Sequence, residues 1–170
     1  MDLKKIVRDV PDFPKPGIVF KDITPLLQNA EAFHYIIDQL VERYKNIPVD
    51  VVAGIESRGF LFASVLAYAL KKPLVVIRKK GKLPHLTVTY TYQLEYGEDT
   101  IEMHEDAIPR GAKVLIVDDL LATGGTAEAA AKLVEKMGGE VSEVAFIIEL
   151  AFLKGRERLK KYSVFHLIEY

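Results

Sequence analysis

The chain has 170 residues, enough for one substantial core but short for two, and 49% hydrophobic with 28% charged residues is ordinary for a water-soluble globular domain. A formal net charge of −1 supplies no field for nucleic acid or a membrane surface. With no cysteine, disulfides and thiolate metal sites are excluded. The expectation is a single domain over 1–170 without nucleic-acid or membrane partners.

In chain order, residues 1–9 lack the apolar core of a signal peptide. The longest apolar-rich stretch, 60–70, is broken by Ser64 and too short for a bilayer, so a cytoplasmic location is expected. Residues 11–21 hold Pro11, Pro14, Pro16 and Gly17 and are expected to be irregular. A helix is expected from Ala30, with Asn29 as its N-cap. Its apolar residues Phe33, Ile36, Ile37, Leu40, Val41 and Tyr44 repeat at three and four, which makes one face core. Residues 51–55 read as a buried strand, 58–70 as a helix and 74–77 as a strand. From 79 to 105, Thr, Val and Tyr alternate with polar residues, the pattern of a two-stranded ribbon projecting from the domain. Long excursions of that kind are often active-site lids. Residues 114–117 read as a strand, 126–137 as a helix stopped by Gly138-Gly139, and 141–150 and 164–168 as later strands. Strands alternating with amphipathic helices predict an α/β fold, a central mostly parallel sheet flanked by helices.

The stretch Val114-Leu-Ile-Val-Asp118-Asp119-Leu-Leu-Ala122-Thr123-Gly124-Gly125-Thr126 carries the most chemistry. An apolar run ends in two carboxylates, turns through glycines and opens a helix. Glycines let backbone N–H groups approach a phosphate, and the helix adds its positive end. The acids repel an anion, so they need donors such as ribose hydroxyls or metal-bound water. The loop therefore reads as a site for a sugar phosphate. No lysine follows the glycines, which excludes a Walker A loop, and G-x-G-x-x-G is absent. An ordinary tight turn would explain Gly124 and Gly125, but not the paired acids.

Other strands also end at polar residues: Glu56-Ser57-Arg58-Gly59 after Ile55, and Arg78-Lys79-Lys80-Gly81-Lys82 after Ile77. In a parallel sheet these ends share one edge, where α/β folds bind ligands. A substrate with phosphates at two ends of a ribose suits that edge. A solvated charge run is the plainer reading of 78–82 in isolation, but its place after a buried strand favours phosphate contact. Glu95 sits on the ribbon, where an acid could exchange a proton with a reacting group; the plainer reading is an exposed acidic hairpin. His34, His85, His104 and His166 show no metal-ligand spacing.

Together these stretches resemble the type I phosphoribosyltransferase family, specifically its adenine-using branch, over nearly the whole chain. Residues 117–126 are similar to the family's loop for phosphoribosyl pyrophosphate (PRPP). Residues 11–25, Glu56-Ser57-Arg58-Gly59-Phe60 and Leu94-Glu95-Tyr96-Gly97 match the adenine-using members. The resemblance implies the type I phosphoribosyltransferase fold, with a purine-binding hood at about 1–28 and a flexible catalytic loop at about 79–105. It implies transfer of the 5-phosphoribosyl group from PRPP to adenine, giving AMP and pyrophosphate in purine salvage, with Mg²⁺ held through substrate and water rather than directly by protein. Carried over residue by residue, Ala122, Thr123, Gly124, Gly125 and Thr126 cradle the 5′-phosphate, and Asp118 and Asp119 hold the ribose hydroxyls. Arg58, Arg78, Lys79 and Lys82 face pyrophosphate. Phe20 stacks on adenine while backbone groups of Val19 and Lys21 read its edge. Glu95 handles the proton, with Arg58 as the second catalytic residue. A homodimer is also implied.

Members acting on 6-oxopurines usually have an aspartate where Ala122 stands, so its absence favours adenine. A xanthine-type transferase and a PRPP-sensing regulator of the same fold are the alternatives. The regulators carry an extra DNA-binding domain, and this chain lacks a basic stripe. Two residues depart from the pattern: Lys21 replaces a common arginine, and Ala63 a common glycine, the latter a tighter fit at a helix start.

Overall fold

The structure, a computed structural model, describes residues 1–94 and 97–170. These fall into two compact units, Met1–Glu42 and Arg43–Tyr170. The first holds a 3-10 turn at Leu3–Lys5, strands β1 (Arg8–Pro11) and β2 (Val19–Asp22), helix α1 (Thr24–Gln28) and most of helix α2 (Ala30–Tyr44). Both ends of the proline-rich stretch, expected to be irregular, are therefore strands. β1 pairs antiparallel with β2, and Pro11 opposes Val19. In a two-stranded sheet every strand is an edge, where proline's missing N–H is tolerated. Pro14 and Pro16 fall in the connecting loop, where Asp12 (φ 57) accepts from Gly17 N at 2.8 Å. Asn29 caps α2 as expected, its Oδ1 accepting from Ala32 N at 3.0 Å. Ile36, Ile37, Leu40 and Tyr44 are buried.

The second unit contains β3 (Val51–Ile55), α3 (Gly59–Leu70), β4 (Leu74–Lys79), β5 (Thr87–Gln93), β6 (Glu98–His104), β7 (Lys113–Leu121), α4 (Gly125–Lys136), β8 (Glu140–Glu149), 3-10 turns at Ala151–Leu153 and Gly155–Glu157, and β9 (Val164–Glu169). Seven strands form one sheet in the order β5-β6-β4-β3-β7-β8-β9. Pairings β4-β3-β7-β8-β9 are parallel, and β6 and β5 add antiparallel. The α/β expectation with a mostly parallel sheet holds. The crossovers β3–α3–β4 and β7–α4–β8 leave the adjoining strands β3 and β7 in opposite directions. Right-handed crossovers then put α3 and α4 on opposite faces, and the crevice at the carboxyl ends of β3 and β7 is a topological switch point. Alternate residues Val51, Ala53, Ile55, Val114, Ile116, Val144 and Phe146 pack with Ala127, Ala130, Ala131 and Val134 of α4 in the main core.

Two further expectations change. β7 does not stop before the acids but runs on to Leu121, with Asp118 opposite Phe146 and Leu120 opposite Ile148. Pairing with β8 overrides the weak strand preference of aspartate. The 79–105 ribbon is antiparallel as expected, yet it does not merely project, because Arg78 and Lys79 of β4 pair with Glu102 and Ile101 of β6. Ile101 and Met103 are buried in the core.

Residues flanking the boundary supply a polar tie within the second unit. Buried Glu143 accepts from Arg43 Nε at 2.7 Å, Arg43 Nη2 at 2.6 Å, Tyr44 hydroxyl at 2.7 Å and Ser163 Oγ at 2.6 Å. The Arg43 guanidinium also lies 4.0 Å from the Phe165 ring centroid. Removing one partner of a buried pair strands the other charge. Arg43→Ala is expected to cost about 3 kcal/mol of stability in urea unfolding; a loss under about 0.5 kcal/mol would show that water replaces the guanidinium.

Candidate functional site

The carboxyl ends of β3, β4 and β7 meet the ribbon around a cavity of about 480 Å³, whose lining includes Glu56, Arg58, Arg78, Lys79, Tyr92, Asp99, Asp118, Asp119 and Thr126. Against it lies a second hollow of about 100 Å³, lined by Asp118, Leu120, Leu121 and residues 122–127. A third, of about 420 Å³, lies among Tyr92, Gln93, Leu94, Thr123, Gly125, Thr126 and Arg158. Asp118 lines two of these spaces and Thr126 all three.

The turn between β7 and α4 is shaped by Gly124, whose φ of +84 puts it in the left-handed region at the N-cap. Gly125 then opens α4, where free N–H groups and the helix dipole favour an anion. No side chain caps this helix start. The acids sit at the other end of the turn. Asp119 N donates to Asp118 Oδ1 at 2.8 Å. Arg58 Nε stands 2.9 Å from Asp119 Oδ2, but that buried oxygen has no aligned hydrogen-bond donor. Burial, and then the charge of Asp119, push the pKa of Asp118 well above the carboxylate range. Burial also raises Asp119, against the lowering effect of Arg58. A carboxylate pair held this way gains from any ligand that brings hydroxyl or water donors.

Gly59 gives Arg58 its place. A Cβ there would come 2.8 Å from Val117 O and 2.9 Å from Asp118 Oδ1, so only glycine lets the start of α3 approach β7. Ala63 fits where the sequence anticipates a tight contact: its Cβ would stand 2.7 Å from a Cβ on Gly54. The Glu56–Ser57 peptide bond is cis.

The basic residues gather on Glu56. Its Oε1 accepts from Lys82 Nζ at 2.5 Å and Arg78 Nη2 at 3.1 Å, and its Oε2 from Lys79 N at 2.8 Å. Burial alone would raise this carboxyl, but the three donors hold it down at about 2. Lys79 Nζ reaches Asp99 at 3.0 Å. Arg78 Nε is buried without a hydrogen-bond partner. The cations are thus positioned by acids, with donors left for an incoming anion.

Arg58, Arg78, Lys79, Asp118, Asp119 and Thr126 come together in the 480 Å³ cavity, with Lys82 joined to it through Glu56 and residues 122–125 in the hollow beside it. Val19, Phe20 and Lys21 lie in the first unit: Phe20 stacks edge-on with Phe13 at 5.3 Å, and Lys21 Nζ pairs with Asp9 at 2.6 Å. Glu95 lies outside the described residues. Sequence reasoning missed the roles of Glu56, Tyr92, Asp99 and Arg158. Glu56 stood two residues before Arg58 in a matched motif, which could have flagged it. Tyr92 and Asp99 were hidden in the ribbon's alternation, and Arg158 is distant in the chain. Among the described residues, Glu149, His166 and Glu169 could group around a metal ion, but Arg156 already donates to Glu149 there.

Such a site, on the switch point of a parallel sheet, defines a class that binds a phosphorylated sugar between an anion cradle and a cationic pocket. Residues 21–169 match the phosphoribosyl transferase domain, and the chain belongs to that family. Within it, the chain groups with the adenine phosphoribosyltransferases. The one from Solibacter usitatus is 59% identical over 99% of this chain and 98% of its own length. The crystal structure of the Thermoanaerobacter pseudethanolicus enzyme superposes with a TM-score of 0.96 at 51% identity, covering 99% of this chain and 98% of that one. The Saccharomyces cerevisiae enzyme, crystallised with an imino-altritol bisphosphate and adenine, gives 0.92 at 44% identity, covering 98% and 96%.

The lowered Glu56 pKa fixes the sign of one pH effect. Its ionised form stabilises the fold above the ordinary value of 4.5, and that contribution is lost as pH falls through about 2. Unfolding free energy of the wild type should therefore drop more steeply between these values than that of Glu56→Gln; parallel curves would remove Glu56 from the acid limb.

Proposed function

We propose that this protein transfers the 5-phosphoribosyl group of PRPP to adenine, releasing AMP and pyrophosphate in purine salvage. The observation that carries the reading is the continuity of the cavities: an anion cradle at 122–126, a carboxylate pair and a cationic pocket follow one another along one sheet edge. That order matches the 5′-phosphate, ribose and pyrophosphate of PRPP. Breaking the bond at C1′ develops positive charge on the sugar and negative charge on pyrophosphate. Asp118 and Asp119 stabilise the first, while Arg58, Arg78, Lys79 and Lys82 stabilise the second.

Mg²⁺ belongs to this reading. The Asp119 Oδ2 atom, buried without an aligned donor, suits a metal-bound water or a ribose hydroxyl. Asp118 and Asp119 would hold the ion through its waters, and it would supply charge neutralisation on pyrophosphate. By likeness to the family, Phe20 stacks on adenine between backbone groups of Val19 and Lys21. Glu95 exchanges the purine proton as the 79–105 loop closes and excludes water. Ala122 leaves no carboxylate in the turn for a 6-oxopurine. A cytoplasmic homodimer completes the reading. No helix among the described residues is long and apolar enough to cross a membrane.

A base panel tests the reaction. With Mg²⁺ and PRPP, adenine should give nucleotide while hypoxanthine, guanine and xanthine give little. Nucleotide from xanthine but not adenine would overturn the assignment. In the same assay Glu95→Gln should lower kcat by about a hundredfold with KM little changed; unaltered turnover would end its proton role.

Ligand donors favour ionised Asp118, whose pKa in the free protein is raised. PRPP binding should therefore release protons and tighten as pH rises through that titration. Calorimetry in buffers of different ionisation enthalpy reads the release directly. Asp118→Asn with Asp119→Asn should abolish it and weaken PRPP at least about tenfold; unchanged affinity would sink the ribose role.

A further inference from the structure

The cradle at 122–126 rests on a second turn that is remote in sequence. After β8, Lys154 (φ 55) reverses the chain into the 3-10 turn Gly155–Glu157. Gly155 is buried and meets the cradle backbone to backbone. A Cβ on Gly124 would stand 2.5 Å from the Gly155 carbonyl oxygen and 3.3 Å from its Cα. Conversely, a Cβ on Gly155 would collide with the Ala122 carbonyl oxygen and lie 2.9 Å from Leu121 Cδ1. Gly155 itself is not in the left-handed region, so room rather than conformation requires glycine. Leu150 N donates to Leu121 O at 2.9 Å, fixing the base of both turns.

The next residue braces the contact. Arg156 Nε donates to Glu149 Oε1 and Oε2 at 2.9 and 2.8 Å, and Nη1 donates to Val164 O at 3.1 Å. Its Nη2 lies 2.7 Å from His166 Nδ1. One guanidinium thus fastens the turn to the ends of β8 and β9, next to a buried carboxylate.

We propose that Gly155, braced by Arg156, is a positioning residue that sets the depth of the phosphate cradle for the 5-phosphate of the substrate. The proposal rests on the reading given under Proposed function. Backbone N–H groups bind phosphate only within a narrow range of distance and angle. A group pushed against Ala122 O moves the cradle's backbone without touching the ligand. Misplacement of that kind impairs binding at the phosphate while leaving a distant subsite intact.

Gly155→Ala and Arg156→Gln test it, with PRPP and adenine varied separately and ribose 5-phosphate binding measured by calorimetry. Gly155→Ala should raise the PRPP KM and the ribose 5-phosphate Kd about tenfold or more, the effect of one lost hydrogen bond to a charged group. The adenine KM should stay within about twofold, and Arg156→Gln should move the same two constants about threefold. An unchanged ribose 5-phosphate Kd in folded Gly155→Ala, or an equal loss for adenine and PRPP, would overturn the proposal. If Gly155→Ala does not fold, an unchanged Kd in Arg156→Gln overturns it instead. A wild type that binds ribose 5-phosphate but makes no AMP refutes the adenine reading alone, and the same binding constants still decide the role of Gly155.

Discussion

Two consecutive carboxylates in a buried strand are the constraint around which the site is arranged. Water would solvate Asp118 and Asp119 freely, but β7 carries them into a partly enclosed place where like charges meet at low dielectric. The surroundings answer locally: Arg58 stands beside Asp119, and Asp119 N donates to Asp118. Gly59 lets α3 come close enough to bring Arg58 there. What remains unsatisfied is an acceptor in a cavity, which makes the cost of holding the pair a source of ligand affinity.

The cationic side follows the opposite logic. Arg78 and Lys82 are both tied to Glu56, and Lys79 to Asp99. Long basic side chains left loose would lose rotamer freedom on meeting an anion. Held in advance by acids at the ends of β3 and on the ribbon, they are preorganised, and the net positive field is tempered until an anion enters. The strand pairing of β4 with β6 supplies the framework, because it brings Lys79 and Asp99 onto neighbouring strands.

Much of this was legible in the chain. Apolar runs at 51–55, 74–77 and 114–117 gave the parallel strands because their burial leaves an unbroken hydrophobic pattern. The acid pair and glycine turn were readable because their chemistry is local. Partners that depend on folding were not. Nothing near Arg158 says that it lines the same hollow as Thr123, and only the paired ribbon reveals that Tyr92 lies by Thr126. Asp118 and Asp119 looked like the end of a strand because aspartate disfavours strands, while pairing with β8 extended it. The prolines of 11–21 suggested irregularity because sequence alone does not show whether a proline's missing N–H points out of a ladder.

The hydrogen bond between the Tyr92 hydroxyl and Thr126 Oγ1, 3.1 Å long, joins the ribbon to the anion cradle through one shared hydroxyl. Any ligand that recruits this oxygen changes the free energy of the ribbon's contact, and linkage makes the effect mutual. A ribbon drawn away from Thr126 alters the cradle's affinity by the same factor that an occupied cradle alters the ribbon's equilibrium. The ribbon's contact with Thr126 and ligand binding at this turn are therefore two readings of a single coupling free energy.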